Sequence, residues 1–350
     1  MIGRRITYFF ILLASVGGCD KITAPDARRG PVWIVYHPSN SPLLSDTINA
    51  IFIDVSGTKW FSTDNGGNGL TSGGWLRFHD TIGFQTPVGY SWKVTSITIG
   101  TDQSLWFGLA GGGVKRYNPR DAQDNYWITY QSPTINADYV YSLATDNAGN
   151  IFVGTLSGAS RFIPTFSSPG SGTWYKYTSG NSPFPDEPIR SMRLNLTDNL
   201  IYFGTQGHGI VTFDGDLLWN IDSPSDQPFP IVSMAFSPAG TAWFGTFADW
   251  AFRYSIQTNE WTHLQDTTHA GGLRDPFVNA VEVGHEGTVW FGTNKGLVSF
   301  SGNVWNTLTR TNSPLPSDTI TALGADALNN LWIGTRNGLA EYNPKGTVSR

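Results

Sequence analysis

Asp46, Asp138, Asp186, Asp275 and Asp318 each stand just ahead of a short apolar run rich in β-branched residues. Carboxylates gathered in this way could hold a divalent cation or act as general acids and bases. Asp at the entrance to a strand also satisfies the amides of its own turn, and that reading suits a residue recurring at one place in a pattern. The stretches "NSPLLSDT", "NSPFPDEP" and "NSPLPSDT" likewise repeat too faithfully to form a single catalytic centre. Of the six histidines, His37, His79, His208 and His269 fall in loops, without the spacing of metal ligands. The Gly-rich "LAGGG" fits a β-turn rather than a phosphate cradle, and there is no nucleophile elbow. No catalytic residue and no metal ligand is assigned, and no cofactor is expected beyond a divalent cation that the Asp series leaves open.

Residues that break the repetition are better candidates for binding. They are Trp92 and Tyr90 in one long loop, Tyr139, Phe277, Asp249 and Trp250 of "FADW", His208 of "QGHG", Lys295 and Arg336. Aromatic rings beside a few polar groups make a platform for sugars or peptides. Each of them, taken singly, also suits an ordinary loop.

The elements that must position these residues are legible in a recurring sentence: "TKWFST", "SLWFGL", "NIFVGT", "LIYFGT", "TAWFGT", "TVWFGT" and "NLWIGT". The aromatic in each, Trp60, Trp106, Phe152, Tyr202, Trp243, Trp290 and Trp332, follows its predecessor by 41 to 50 residues. That period is near the length of a four-stranded propeller blade. About twelve residues ahead of each stands a β-branched residue, Ile48, Val94, Val140, Ile189, Ile231, Val278 or Ile320, with a second apolar residue three positions on. A three-residue step by itself fits a helix, but runs this short, ending in "DVSG" or "DNAG", read as strands. A third strand ends in an aromatic such as Tyr117, Phe300 or Tyr342, and a fourth is marked by Trp75, Trp127, Trp174, Trp219, Trp261 or Trp305.

The seventh copy has no fourth strand after Tyr342. "PVWIVYHPSNSPLLSDTI" at 31–48 matches "NVWNTLTRTNSPLPSDTI" at 303–320, so Trp33 takes the part of Trp305 and the first strand completes the last blade. The expectation is an all-β, seven-bladed propeller of four-stranded antiparallel blades over residues 31–345, with a short tail at 346–350. Closure removes the open sheet edge. Twelve of the fourteen tryptophans fall on the repeated positions and are expected to pack blades together rather than stack on a ligand. The second-to-third and fourth-to-first connections share one face, which therefore collects the non-repeating candidates.

Composition agrees: 40 Gly, 20 Pro and 14% aromatic against 14% charged residues describe turns and flat side chains, not helices. Residues 1–18, with Arg4, Arg5 and an apolar core, read as a secretory signal too short to span a membrane. "VGGC" resembles a lipobox, with Cys19 as the lipidated residue and 19–30 as a polar tether. Removing the signal takes away two arginines and no acid, moving the formal charge from −5 to −7, which offers no field for nucleic acid. Cys19 is the single cysteine, so no disulfide forms within the chain.

"NNLWIGTRNGLAEY", "GTVWFGTNKGLVSF" and "NSPLPSDTITAL" resemble the two-component regulator propeller repeat of bacterial periplasmic sensors and related stand-alone secreted proteins. That resemblance implies the fold and leaves function open. The sensors generally add a second propeller, an immunoglobulin-like domain, a membrane helix and a kinase, none of which is read here, so direct signalling is not expected. Propeller lyases that open macrocyclic peptide antibiotics look similar in fold and imply a catalytic His, a nearby Glu and magnesium; no such pair can be placed from the sequence.

The expected function is a lipid-anchored, non-enzymatic module at the cell envelope that presents its loop-rich face to a glycan, peptide or envelope protein. The membrane is reached through the lipid alone. The alternatives are a metal-assisted lyase or hydrolase at the channel mouth, and a structural part of an envelope secretion or assembly complex.

Overall fold

Each "WFGT"-like run is a strand buried on both sides, as its near-continuous apolar sequence demands. The computed structural model describes residues 30–79, 92–120, 127–165, 170–182, 184–214, 218–221, 229–265 and 272–346. The expected signal, Cys19, most of the tether, Tyr90, His269 and the side chain of Trp219 lie outside the described residues.

Seven four-stranded antiparallel sheets follow one another along the chain. Blade 1 runs Ile48–Ile53, Lys59–Thr63, Gly66–Thr71 and Gly74–Phe78, from the centre outward. Blades 2 to 6 repeat that order. Blade 7 takes its inner three strands from the C-terminal end of the chain and its outer strand, Val32–Tyr36, from near the N-terminus. The register there is Val32↔Asn343, Trp33↔Tyr342 and Tyr36↔Leu339, which closes the ring as expected.

Seven buried clusters hold the blades together, one at each blade–blade interface. At the closing interface Trp332 of blade 7 meets Ile48 and Phe61 of blade 1. The same three roles are filled by Trp106, Val140 and Val153 between blades 2 and 3, and by Trp243, Val278 and Phe291 between blades 5 and 6. The β-branched residue and the aromatic twelve positions later thus serve two different interfaces, one behind its blade and one ahead. Each aromatic of this kind, buried within a tightly packed cluster, contributes about 3–5 kcal/mol against truncation to Ala.

The Gly of "WFGT" allows blades to approach. A Cβ on Gly154 would come within 2.8 Å of Ile189 O in the next blade. The "NSPLP" loops pin the outer strands: Asn312 Oδ1 accepts from Thr309 N at 2.7 Å while its Nδ2 donates to Thr307 O at 3.0 Å. The following Leu315, 4% exposed, plugs the core between blades 6 and 7. This faithful motif is therefore a lid on the interblade core.

Candidate functional site

All seven inner strands carry a β-bulge at the same place, between their first and third residues. The extra residue leaves the ladder unpaired and is re-aimed, which is what a bulge does beside a site. The seven bulged residues are Asn49, Thr95, Tyr141, Arg190, Val232, Asn279 and Thr321, and all line the central channel, a cavity of about 580 Å³. They sit at the end where the loop-rich face opens, because the fourth-to-first connections enter the inner strands there. The bulge also explains the helix-like three-residue step, since one inserted residue shifts the next core-facing side chain by one position.

Most bulges also lock the ring. Asn49 Nδ2 donates to Val94 O at 2.9 Å, Thr95 Oγ1 to Val140 O at 2.8 Å, Asn279 Nδ2 to Ile320 O at 2.9 Å and Thr321 Oγ1 to Ile48 O at 2.5 Å, each reaching the following blade. Such bonds fix the mouth's diameter.

Blades 3 and 4 build the part of the mouth with the most varied chemistry. The Arg190 guanidinium lies 4.3 Å over the ring of Tyr141, and its Nε donates to Gln206 Oε1 at 2.6 Å. Tyr139 packs on the Tyr141 ring at 4.7 Å. Beside them Glu187 Oε1 accepts from Gly207 N at 2.9 Å and His208 N at 3.1 Å, and lies 3.0 Å from His208 Nδ1. A His–Glu pair that the sequence alone could not place is therefore present, with the His side chain 67% exposed. Deeper in the channel Arg193 reaches past blade 5 to Glu282 of blade 6, with a bond to each carboxylate oxygen at 2.9 and 3.1 Å.

The structure brings Tyr139 and His208 to this group. It gathers Asp249, Trp250 and Phe277 elsewhere, on blades 5 and 6. There Asp249 Oδ1 lies 3.4 Å from His263 Nε2, and Phe277 packs against the 56% exposed Phe247 at 5.0 Å. Trp250 is not outside the repeat after all: Thr246 Oγ1 donates to Trp250 O at 2.9 Å, as Thr293 Oγ1 does to Gly296 O. It thus occupies the glycine position with φ of +53°, beside Ala248 at +78°. Trp92 packs into the core between blades 1 and 2, 5.7 Å from His79. Lys295 and Arg336 stand exposed on the turns of blades 6 and 7, apart from both groups.

The repeated aspartates clasp their own loops. Asp138 accepts from Ser132 N at 2.7 Å, Asp186 from Ser179 N at 2.9 Å, Asp318 from Arg310 N at 2.7 Å and Asp275 from Phe277 N at 3.2 Å, while Asp46 meets His37 Nδ1 at 2.8 Å. Hydrogen bonds from Ser179 hold the Asp186 carboxyl below the usual carboxylate range. Among the described residues no three of His, Cys, Asp or Glu form a group that could hold a metal ion.

Sequence reasoning missed Tyr141, Arg190 and the other bulged residues. Their signal was the irregular step itself, one residue too long for strand alternation.

Residues 314–337, the run from the last "SPLP" loop into the final second strand, match the family described as two component regulator propeller. The chain carries the two-component regulator propeller repeat. Over 157 residues, 41% of the chain, it is 26% identical to histidine kinase P4 of Formosa agariphila, of which it spans 11%. Its propeller superposes on the extracellular domain of the two-component-system protein BT4673 from B. thetaiotaomicron with a TM-score of 0.65 at 17% identity, covering 89% of this chain and 39% of that one. It superposes on virginiamycin B lyase from Staphylococcus aureus with a TM-score of 0.66 at 15% identity, covering 89% and 99%. At such identities the likeness is one of fold. The fold alone does not say what this chain does, and the residues at the mouth must carry any argument about it.

Proposed function

We propose that this propeller is a cell-envelope binding module that captures a glycan or a peptide at its loop-side channel mouth without turning it over. The observation that carries the reading is the alignment of seven bulges, which aims one side chain per blade at a single opening. Interblade hydrogen bonds prearrange that opening, so little ordering is left for the ligand to drive. The leader-like segment with Cys19 supports attachment to the envelope by lipid, and the extracellular BT4673 propeller agrees with that location. Among the described residues no helix is long and apolar enough to cross a membrane.

Glycan and peptide arrays probed with the wild-type protein and with a Tyr141→Ala/Arg190→Ala variant test the reading. Retained ligands that the variant releases support it; retention unchanged in the variant overturns it.

A second reading, lyase or hydrolase chemistry, is favoured by one observation, the His208–Glu187 contact at the mouth. Turnover of a bound ligand that His208→Ala abolishes while leaving binding intact would establish that reading; binding without turnover dismisses it.

A further inference from the structure

The interblade hydrogen bond made by a bulged residue in four blades is handed over in two others. In blade 3 Ser142 Oγ donates to Ile189 O at 3.0 Å, and in blade 4 Ser191 Oγ donates to Ile231 O at 3.2 Å. The residue after the bulge has taken the locking role. Where Asn49, Asn279 and Thr321 lock their blades, that next residue is Ala50, Ala280 or Ala322. Tyr141 and Arg190 are thereby released from closing the ring, and they are the two that meet each other.

Arg190 is also a cation without an anion. Gln206 fixes its Nε and Tyr141 supports its face, yet among the described residues its two terminal nitrogens meet no carboxylate. The acid three residues ahead of it, Glu187, is engaged otherwise, with the Gly207 and His208 amides and the His208 ring. Arg193, deeper in the same channel, is by contrast fully answered by Glu282. A guanidinium anchored at Nε presents its free edge, and that edge matches the two oxygens of a carboxylate.

We propose that Arg190 receives the carboxylate of an acidic sugar, a hexuronate unit of an oligosaccharide lying across the channel mouth. This rests on reading the mouth as a binding surface. The amide nitrogens of Asn49 and Asn279 are spent on the ring while their oxygens are left as acceptors, which sugar hydroxyls can meet. Tyr139 adds a ring beside the charged group, suited to the face of a pyranose.

The test is calorimetric titration of the full chain with trimers of galacturonate, glucuronate and mannuronate, each beside its methyl ester. At least one acid trimer should bind, and its ester about tenfold or more weaker, the usual cost of losing a charge-assisted pair. Arg190→Gln should bring acid and ester to equal affinity while melting like the wild type, and Arg190→Lys should restore part of the preference. Equal binding of acid and ester by the wild type overturns the carboxylate assignment and leaves the mouth as a neutral-glycan site. Binding of none of the acid trimers overturns it as well, and if peptides with a free carboxylate bind through Arg190 instead, the sugar assignment falls while the mouth reading survives.

Discussion

The rings of Trp33 and Tyr342 lie 4.4 Å apart, the same separation as Trp305 and Phe300 within blade 6. Residues from opposite ends of the sequence therefore reproduce a contact that blades 2, 3, 5 and 6 make locally, Tyr117 with Trp127 and Tyr254 with Trp261 at 4.6 Å and Phe162 with Trp174 at 5.1 Å, whereas in blade 1 Leu70 stands opposite Trp75. Closure is a blade's ordinary packing carried out between termini. Trp33→Ala should cost about 2–3 kcal/mol, less than a fully buried aromatic because Trp33 is half-buried. Urea unfolding measures it, and an unchanged midpoint would mean that the N-terminal strand does not hold the ring shut.

The locking hydrogen bond across the neighbouring seam, between blades 7 and 1, can be tested without changing shape. Thr321→Val removes the donor to Ile48 O and keeps the volume. The expected loss is about 1 kcal/mol, the net worth of one hydrogen bond. Ser142→Ala should lose a similar amount at the interface of blades 3 and 4. A loss at Ser142 and none at Thr321 would show that the seam is held by packing alone.

Ala248 sits at φ +78°, in the left-handed region that a side chain disfavours. Ala248→Gly should raise stability by about 1 kcal/mol, the strain relieved exceeding the entropy that glycine adds to the unfolded chain. Thermal melting checks the sign. A destabilised variant would mean that the methyl group makes a contact worth more than the strain.

Glu341, on the last strand, is raised above the ordinary carboxyl range, chiefly by burial, although the Tyr36 hydroxyl donates to it at 3.1 Å. A carboxyl raised on folding favours the native state while protonated and loses that contribution as pH climbs through its folded value. Glu341→Gln should therefore melt higher than the wild type at pH 7 and nearly with it below pH 4. Asp326 has the opposite sign: burial works against its charge, but Asn330, the Trp332 indole and Lys59 hold it low, so its contribution is present at neutral pH and fades in acid. A Glu341→Gln advantage that grows as pH falls would contradict the assignment.

The architecture was legible because its cause is periodic. Trp60 and its six counterparts are demanded by every blade interface, so one rule, written seven times, announces itself in the sequence. Closure was legible for the same reason, since Trp33 stands in a copy of the Trp305 segment. The mouth was hidden because a bulge has no residue signature of its own. Asn49, Tyr141 and Arg190 share a position but no chemistry, and only the ladder shows them unpaired. Trp250 misled in the other direction. It looked like an insertion because the residue expected there is glycine, and the backbone accepts the indole only at a positive φ.

The most direct measurement of the central claim is hydrogen–deuterium exchange of the protein with and without the best ligand retained on the arrays. Slowed exchange should be concentrated at residues 139–142, 187–193 and 205–208, where Tyr139, Tyr141, Arg190, Gln206 and His208 converge on the mouth. Protection confined to the turns at 54–58, 146–150 and 196–200, on the opposite face, would contradict it.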